Sequence, residues 1–270
     1  MIKRFVFLLF SFVLIQQAVM ADVIKFVQVA DVHFRTKDEY RAQVLKETVK
    51  SINNEKGVSF VVFTGDNIDT PNAEFLPEFV KIVNKLDVPY YIVIGNHDVY
   101  KNNGLSKAHY LEIVRDNNWT YRYKKPNYVF KKRGYVFVVA DGAKEVIPGS
   151  VGYYKKDTLD WVDKQLKRYK RSKVVILQHF PLVATKELTS HRVYNKEEYL
   201  KMLDKHDNVV SVVAGHIHMN SEMMRNGVYH ITSPTLLTDT PSYKVISIST
   251  TRGFSPMVYT ELKEVEMPQK

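Results

Sequence analysis

The sequence predicts an α/β protein, a four-layer α-β-β-α sandwich with two mixed central sheets flanked by helices. Three features carry that expectation. Short runs rich in Val, Ile and Phe alternate with amphipathic stretches through the first half, a pattern that calls for a largely parallel sheet covered by helices. A hairpin signal, Arg133-Gly134 between two apolar runs, breaks the alternation in the middle. From Glu222 onward strand-like segments predominate, so two packed sheets with helices outside them are expected.

Taken in order, Val23 to Ala30 is a strand, Asp38 to Glu55 a helix and Val58 to Phe63 a second strand. Asn72 to Leu86 is helical, Pro89 to Ile94 extended and Ser106 to Asn117 helical again. Asn127 to Lys132 and Tyr135 to Ala140 flank the hairpin turn. Asp157 to Tyr169 places Leu159, Trp161, Val162 and Leu166 on one side of a helix. A strand at Lys173 to Leu177, a helix near Lys196 to Lys205 and a strand at Val209 to Ala214 follow. The remaining strands are Glu222 to Arg225, Gly227 to Thr232, Tyr243 to Ser249 and Pro256 to Leu262.

The chain has 270 residues, 45% hydrophobic and 25% charged, which excludes a disordered, collagen-like or coiled-coil protein and supplies apolar material for a large core. It contains no cysteine, so a disulfide framework, a thiolate metal site and a thiol nucleophile are all excluded. Any metal must be held by nitrogen and oxygen. Residues 1–21 read as a signal peptide: Lys3 and Arg4 open it, Phe5 to Ile15 is uncharged, and Val19-Met20-Ala21 offers small residues for cleavage. The apolar run falls short of the roughly 20 residues that span a bilayer. The expectation is an exported protein, periplasmic or secreted, with a single domain over residues 22–270 and no stable membrane insertion after cleavage.

The formal charge of +10 falls to +8 once Lys3 and Arg4 are removed. The clusters Lys131-Lys132-Arg133 and Lys167-Arg168-Tyr169-Lys170-Arg171 permit nucleic acid, but they lack interleaved aromatics and read as solvated surface. A small phosphate ester is the favoured partner, with nucleic acid less favoured and the oligomeric state left open. Asn118-Trp119-Thr120 fits a glycosylation acceptor, a short motif with meaning only in a eukaryotic host.

The residues that carry chemistry lie where strands end. Asp31 and His33 close the first strand, Gly65-Asp66 the second and Gly95-Asn96-His97-Asp98 the third. His179 follows the strand at Lys173, and Gly215-His216-Ile217-His218 the one at Val209. In an open α/β sheet those carboxyl ends face one crevice, so residues far apart in sequence can converge. Asp31 with His33, and His216 with His218, are two apart, and in extended backbone each pair projects to one side. The glycines before Asp66, Asn96 and His216 suit turns in which backbone approaches closely. Carboxylate, amide and imidazole together suit Zn, Mn or Fe, and two ions bridged by one carboxylate are inferred. Each piece alone is ordinary turn chemistry. Chance puts Gly-His-x-His in a chain with 11 glycines and 9 histidines only about once in a hundred.

The ordered set Asp-x-His, Gly-Asp, Gly-Asn-His-Asp, a lone His and Gly-His-x-His resembles the calcineurin-like binuclear metallophosphoesterases, over Asp31 to His218. The resemblance implies that Asp31, His33, Asp66 and His218 hold one metal, that Asp66, Asn96, His179 and His216 hold the second, and that Asp66 bridges them. Two divalent or mixed-valence ions, Fe, Mn or Zn, are thereby implied. His97 corresponds to the family's non-ligand histidine, a general acid to the leaving group, with a metal-bound hydroxide attacking phosphorus. The carboxylate of Asp69, three residues past Asp66, is expected to accept a hydrogen bond from His97 and hold it cationic. Gly65-Asp66-Asn67-Ile68-Asp69 lacks the tyrosine of purple acid phosphatases, and Thr70-Pro71 replaces the Arg-Gly of protein Ser/Thr phosphatases. His179-Phe180-Pro181 is similar to the His-His-Pro of the bacterial cyclic-nucleotide phosphodiesterase-like branch, with Phe180 departing from it.

The expected function is therefore an exported hydrolase of phosphate esters, a phosphatase or a phosphodiesterase. The alternatives are a non-catalytic binder of polyanions or phosphate, and a nuclease of the same fold. His191, Arg192, Tyr194, Lys101 and Asn102 sit in loops after ligand-bearing strands, where substrate contacts collect. His109, His206 and His230 are expected to be solvated or simply packed.

Overall fold

The computed structural model describes residues 22–268 apart from 187 and 252, so the leader expected over residues 1–21 lies outside the described residues. Its first sheet contains β1 (Asp22–Val29), β2 (Val61–Phe63), β3 (Tyr90–Ile92), β10 (Ser242–Thr250) and β11 (Met257–Glu264), in the order β11-β10-β1-β2-β3. The first three strands are mutually parallel, and β10 returns antiparallel beside β1 with Gln28 opposite Lys244. The second sheet has β4 (Tyr128–Lys132), β5 (Tyr135–Val139), β6 (Lys173–Leu177), β7 (Val209–Ala214), β8 (Ser221–Arg225) and β9 (Val228–Thr232), in the order β4-β5-β6-β7-β9-β8. Its centre is parallel and both edges are antiparallel hairpin strands. Arg133 and Gly134 both lie at positive φ, as do Asn226 and Gly227, the backbone that a two-residue hairpin turn requires.

Strand alternation decides the layers. In β1, Ile24 and Phe26 face the second sheet, joining Val62, Phe137, Val175, Leu177, Ile246 and Ile248 in a core between the sheets. Val27, Val29, Val61 and Phe63 point the other way, into a core shared with the helices. There Phe79 of α2 (Phe75–Val83) packs its ring 5.4 Å from Phe63. Burying one such side chain stabilises the fold by about 1.5–3 kcal/mol. Two helices flank α2: α1 (Glu39–Asn54), capped by Asp38, and α3 (Lys107–Asn117), capped by Ser106. On the opposite side, α4 (Lys156–Arg168) buries Leu159, Val162 and Leu166 beside α5 (Lys196–Leu203). Among the described residues no helix is long and apolar enough to cross a membrane.

Polar groups fasten the sheets to each other at defined places. Tyr128 Oη on β4 donates to Ile92 O (2.8 Å) and accepts from Ile92 N (3.1 Å), which satisfies both peptide groups of one residue on the β3 edge. Gln28 Nε2 donates across the sheet interface to Ala214 O at 2.6 Å, directly below the loops that carry the candidate ligands. The amide of Asn118 is likewise engaged, donating to Tyr90 Oη at 2.8 Å.

Candidate metal centre

The loops that leave β1, β2, β3, β6 and β7 converge at one end of the sandwich. Asp31, His33 and His218 form one group of side chains with ligand atoms within 4.8 Å of each other, and Asp66, His179 and His216 form another. Asn96 Oδ1 lies 3.1 Å from His179 Nε2, within the second group. All seven expected ligands are thus brought together, but not by the extended backbone anticipated for the two His/Asp pairs. Asp31, His33, Asp66, His216 and His218 all sit at positive φ, between 47° and 74°. In each pair two left-handed residues flank an intervening one, Val32 or Ile217. A non-glycine residue in that region costs about 1–3 kcal/mol and persists only where its surroundings fix it.

The surroundings are visible. A Cβ on Gly65 would collide with the His179 ring, one on Gly95 with the Asp66 carboxylate, and one on Gly215 would lie 2.6 Å from Asp31 Oδ2. Each glycine before a ligand therefore leaves room for another ligand's side chain. Asp98, fully buried, binds the second and third loops together: Oδ1 accepts from Asn67 N (2.8 Å) and Ile68 N (3.0 Å), Oδ2 from Gly95 N (2.7 Å) and Asn67 Nδ2 (3.0 Å). Burial, then the charge of Asp66, pushes the Asp98 carboxyl up to about 7 against the pull of those N–H groups.

The donor set has the chemistry of a cation site. His179 Nδ1 is 2.8 Å from Thr64 O, and His216 Nε2 is 2.7 Å from Ser150 O; a carbonyl only accepts, so each ring spends a hydrogen there. The remaining nitrogens, His179 Nε2 and His216 Nδ1, face each other across 3.1 Å. Asp66 Oδ2 is 3.4 Å from His179 Nε2 and 3.9 Å from His33 Nε2. His218 Nε2 is 3.3 Å from His33 Nε2 and 3.5 Å from Asp31 Oδ1. Neutral imidazole nitrogens and carboxylate oxygens crowded in this way repel unless a proton or a metal lies among them. Backbone carbonyls holding the far ring nitrogens are the support that metal-binding histidines use. The residues fit two N/O-coordinated divalent ions.

Without metal, protons take part of that role. Burial alone would keep His179 neutral, but the charge of Asp66 and its hydrogen bond raise the imidazole to about 9. Burial opposes ionisation of Asp66 too, and His179 overcomes it, holding the carboxyl well below the usual range. His218 is lowered by burial and raised more by Asp31, with a net upward shift. His216 is held well below its ordinary value by burial and by the charge on His179, and burial lowers His33. Each group thus pairs one carboxylate with one readily protonated histidine.

His97 is exposed beside this centre, its ring 4.8 Å from that of His33, and its main-chain N–H donates to Asp66 Oδ1 at 2.8 Å. The expected partnership with Asp69 takes another form. His97 Nδ1 meets the main-chain carbonyl of Asp69 at 2.7 Å, not its carboxylate. The carboxylate is turned away because Arg35 and Arg41 claim it, one on each oxygen. Burial resists ionisation of Asp69, and the two guanidinium groups more than offset it, lowering the carboxyl. Neither arginine was flagged by motif or spacing. Arg35 lies two residues past His33, but Arg41 is in α1, and only the tertiary fold brings it to Asp69.

The rim on the opposite side comes from two loops. The His191 ring lies 5.0 Å from His216, its Nδ1 2.8 Å from Ser190 Oγ, and Ser150 Oγ donates to Ser190 O at 2.7 Å. His191, Arg192 and Tyr194 line a cavity of about 510 Å3 together with Pro181 and Ile217. Phe180, in place of a second histidine, packs its ring 4.7 Å from His179 and 4.6 Å from His216. Lys101 and Asn102 lie exposed in a short 3-10 turn past the third loop. His109 and His206 are spent elsewhere, on Gly104 O and Asp163, and His230 is buried in β9.

A family model described as calcineurin-like phosphoesterase matches residues 24–220. A probable glycerophosphodiester phosphodiesterase of Arcobacter nitrofigilis is 27% identical, over 81% of this chain and 79% of that one. A 3',5'-cyclic-nucleotide phosphodiesterase of Nostoc is 24% identical, over 78% and 77%. Among solved structures, a dimetal phosphatase from Danio rerio superposes with a TM-score of 0.65 at 18% identity, over 88% of this chain and 98% of that one, a likeness of fold.

Proposed function

The chain belongs to the calcineurin-like phosphoesterase family, and from that premise we propose that this metal-dependent phosphoric ester hydrolase is an exported two-metal enzyme acting on small phosphodiesters, with His97 as the acid for the leaving group. One observation carries the two-metal reading: a single oxygen, Asp66 Oδ2, adjoins His179 of one donor group and His33 of the other. Asp31, His33, Asp66 and His218 would hold one ion and Asp66, Asn96, His179 and His216 the second, a pair that supplies neutralisation of phosphoryl charge and activation of water. Asp66 Oδ1 is meanwhile fixed by the main chain of His97, which ties the bridging carboxylate to the loop that carries the acid.

His97 acts at one atom. Its Nδ1 donates to the Asp69 carbonyl, so Nε2 is the nitrogen free to carry a proton toward the departing oxygen. The diester preference is supported by the relatives named for glycerophosphodiester and cyclic-nucleotide hydrolysis. Export is supported by the composition of residues 1–21.

The test is metal-dependent hydrolysis of bis(4-nitrophenyl) phosphate against 4-nitrophenyl phosphate. Turnover that chelation removes, that Mn or Zn restores, and that favours the diester is expected. Asp66→Asn and His216→Ala should each abolish it, and activity retained in both would overturn the proposal. His97→Asn should slow release of an alkyl alcohol more than release of nitrophenolate, which needs no proton. For export, the protein recovered outside the cytoplasm should begin at Asp22; an intact Met1 in a cytosolic chain would count against it.

A further inference from the structure

Arg41 occupies an unusual position for a residue on the first turn of a helix. Its main-chain N–H bonds Asp38 Oδ1 (3.0 Å) and its Nε pairs with Asp38 Oδ2 (3.1 Å), so the side chain is anchored at the α1 cap. From that anchor Nη1 reaches two acceptors at once, the main-chain carbonyl of His33 and Oδ1 of Asp69. His33 is a candidate metal ligand held at φ 47°, a conformation that its neighbours must enforce. Asp69 is the residue whose carbonyl receives His97 Nδ1 at 2.7 Å. One guanidinium thus joins the loop after β1 to the loop after β2, and through them a ligand to the acid.

We propose that Arg41 is a positioning residue that holds His97 Nδ1 against the Asp69 carbonyl, and His33 in its ligating conformation, by bridging the His33 carbonyl and the Asp69 carboxylate. The geometry explains why Asp69 does not pair with His97 through its carboxylate. Arg41 and Arg35 engage Oδ1 and Oδ2 of Asp69, and His33 Nδ1 lies 3.9 Å from Oδ1, so both carboxylate oxygens face away from His97. With the carboxylate pinned, the carbonyl is what the His97 ring meets, and a carbonyl selects one tautomer without adding a charge beside the acid. Arg35 is about half exposed and holds Asp69 alone, whereas Arg41 is mostly covered and holds both loops, so the weight of the clamp rests on Arg41. Lysine cannot replace it, because a single ammonium lacks the planar fork that spans Asp38, His33 and Asp69.

The inference rests on the reading of His97 as the leaving-group acid, and the experiment separates the two. In the zinc-loaded chain labelled with 15N-histidine, His97 is expected to keep a hydrogen on Nδ1, bonded to the Asp69 carbonyl, which leaves Nε2 as the nitrogen that gains and gives the acid's proton. In Arg41→Ala and Arg41→Lys the Nδ1–H signal should shift from its parent position as the acceptor changes from the Asp69 carbonyl to the released carboxylate. Unchanged His97 signals in both variants would overturn the proposal, whatever the activity. In turnover at saturating metal, kcat for an alkyl diester should fall about 10- to 100-fold, the range for loss of an outer-layer partner of a metal site, with KM changed less than about 2-fold. Methylguanidinium should restore kcat in Arg41→Ala, and methylammonium should not. A kcat equal to that of the parent chain would overturn the proposal. Should the parent chain hydrolyse no ester at all, the reading of function fails, while the His97 signals still decide the role of Arg41.

Discussion

His179 Nε2 and His216 Nδ1 face each other across 3.1 Å, each with its other ring nitrogen committed to a main-chain carbonyl. Two imidazoles so arranged cannot both be neutral and comfortable without a cation nearby. In the chelated chain a proton on His179 is the expected cation, because Asp66 outweighs burial and raises the imidazole to about 9. The proton and a metal compete for one nitrogen.

Metal affinity is therefore expected to depend on pH with a definite sign. His179 must lose its proton to ligate, and its value of about 9 means that it is protonated at neutral pH. Affinity for Zn should rise about tenfold per pH unit toward pH 9 and then level off, with a steeper slope where His218 also titrates. Calorimetric titrations in two buffers of different ionisation enthalpy would count the protons released; a count of zero at neutral pH would refute the competition. Stability of the chelated protein has the opposite trend. A raised histidine stabilises the fold fully below its ordinary value of 6.5, and that contribution disappears as pH rises through about 9. The lowered Asp66 contributes fully above its ordinary 3.8 and loses that contribution as pH falls from there through its lowered folded value, so it adds no slope between pH 6 and 9. The chelated chain should melt at lower temperature above about pH 9 than near pH 6.

Gly95 offers a way to displace a candidate ligand without substituting one. It has ordinary φ, so alanine there meets no backbone strain, but its methyl would run into the Asp66 carboxylate and main-chain nitrogen. Gly95→Ala should lose about 3 kcal/mol or more, because the main-chain nitrogen of Asp66 must move as well as its carboxylate, and should lose metal and activity. Gly57→Ala is the contrast: its methyl meets open space but sits at φ 76°, so about 1 kcal/mol of stability should go and both metal and turnover remain. Elemental analysis beside thermal melts reads both variants, and metal retained in Gly95→Ala would show that the cradle around Asp66 can give.

Legibility in the sequence followed the type of constraint. The strands at Lys173–Leu177 and Val209–Ala214 lie on their expected bounds, because buried parallel strands are unbroken apolar runs. The strand expected from Val58 shortened to Val61–Phe63, since its ladder with β1 begins only where Val61 meets Val27. At the site, the residue types that converge and their places at strand ends were readable, as those are properties of each loop. Left-handed φ at five of them was not, because no local signal in the sequence asks for it; in the fold Asp31 packs against Gly215 and Asp66 against Gly95. Asp69 misled for a similar reason. Its spacing from Asp66 was correct, and what turned its carboxylate was an arginine on a helix that no motif includes.

Lys244 provides the last test, at the far edge of the same sheet interface. It sits on β10 with its side chain wholly buried, and its Nζ is 3.0 Å from Glu222 Oε1 on β8, which also accepts from Thr260 on β11. Burial lowers the Lys244 ammonium and Glu222 opposes that, so the carboxylate is what makes a charge tolerable there. Glu222 itself is half exposed, and solvent weakens its attraction. Removing the acid should therefore cost more than removing the base. Glu222→Gln strands a buried ammonium and should lose about 1–2 kcal/mol, below the full penalty for a wholly buried pair. Lys244→Met replaces the ammonium with a flexible apolar chain of similar length and should be neutral or stabilising by up to about 2 kcal/mol. Denaturant melts of both variants give the order directly. A Lys244→Met protein less stable than Glu222→Gln would mean that the ion pair contributes net stability to the clasp between the sheets, against the desolvation argument.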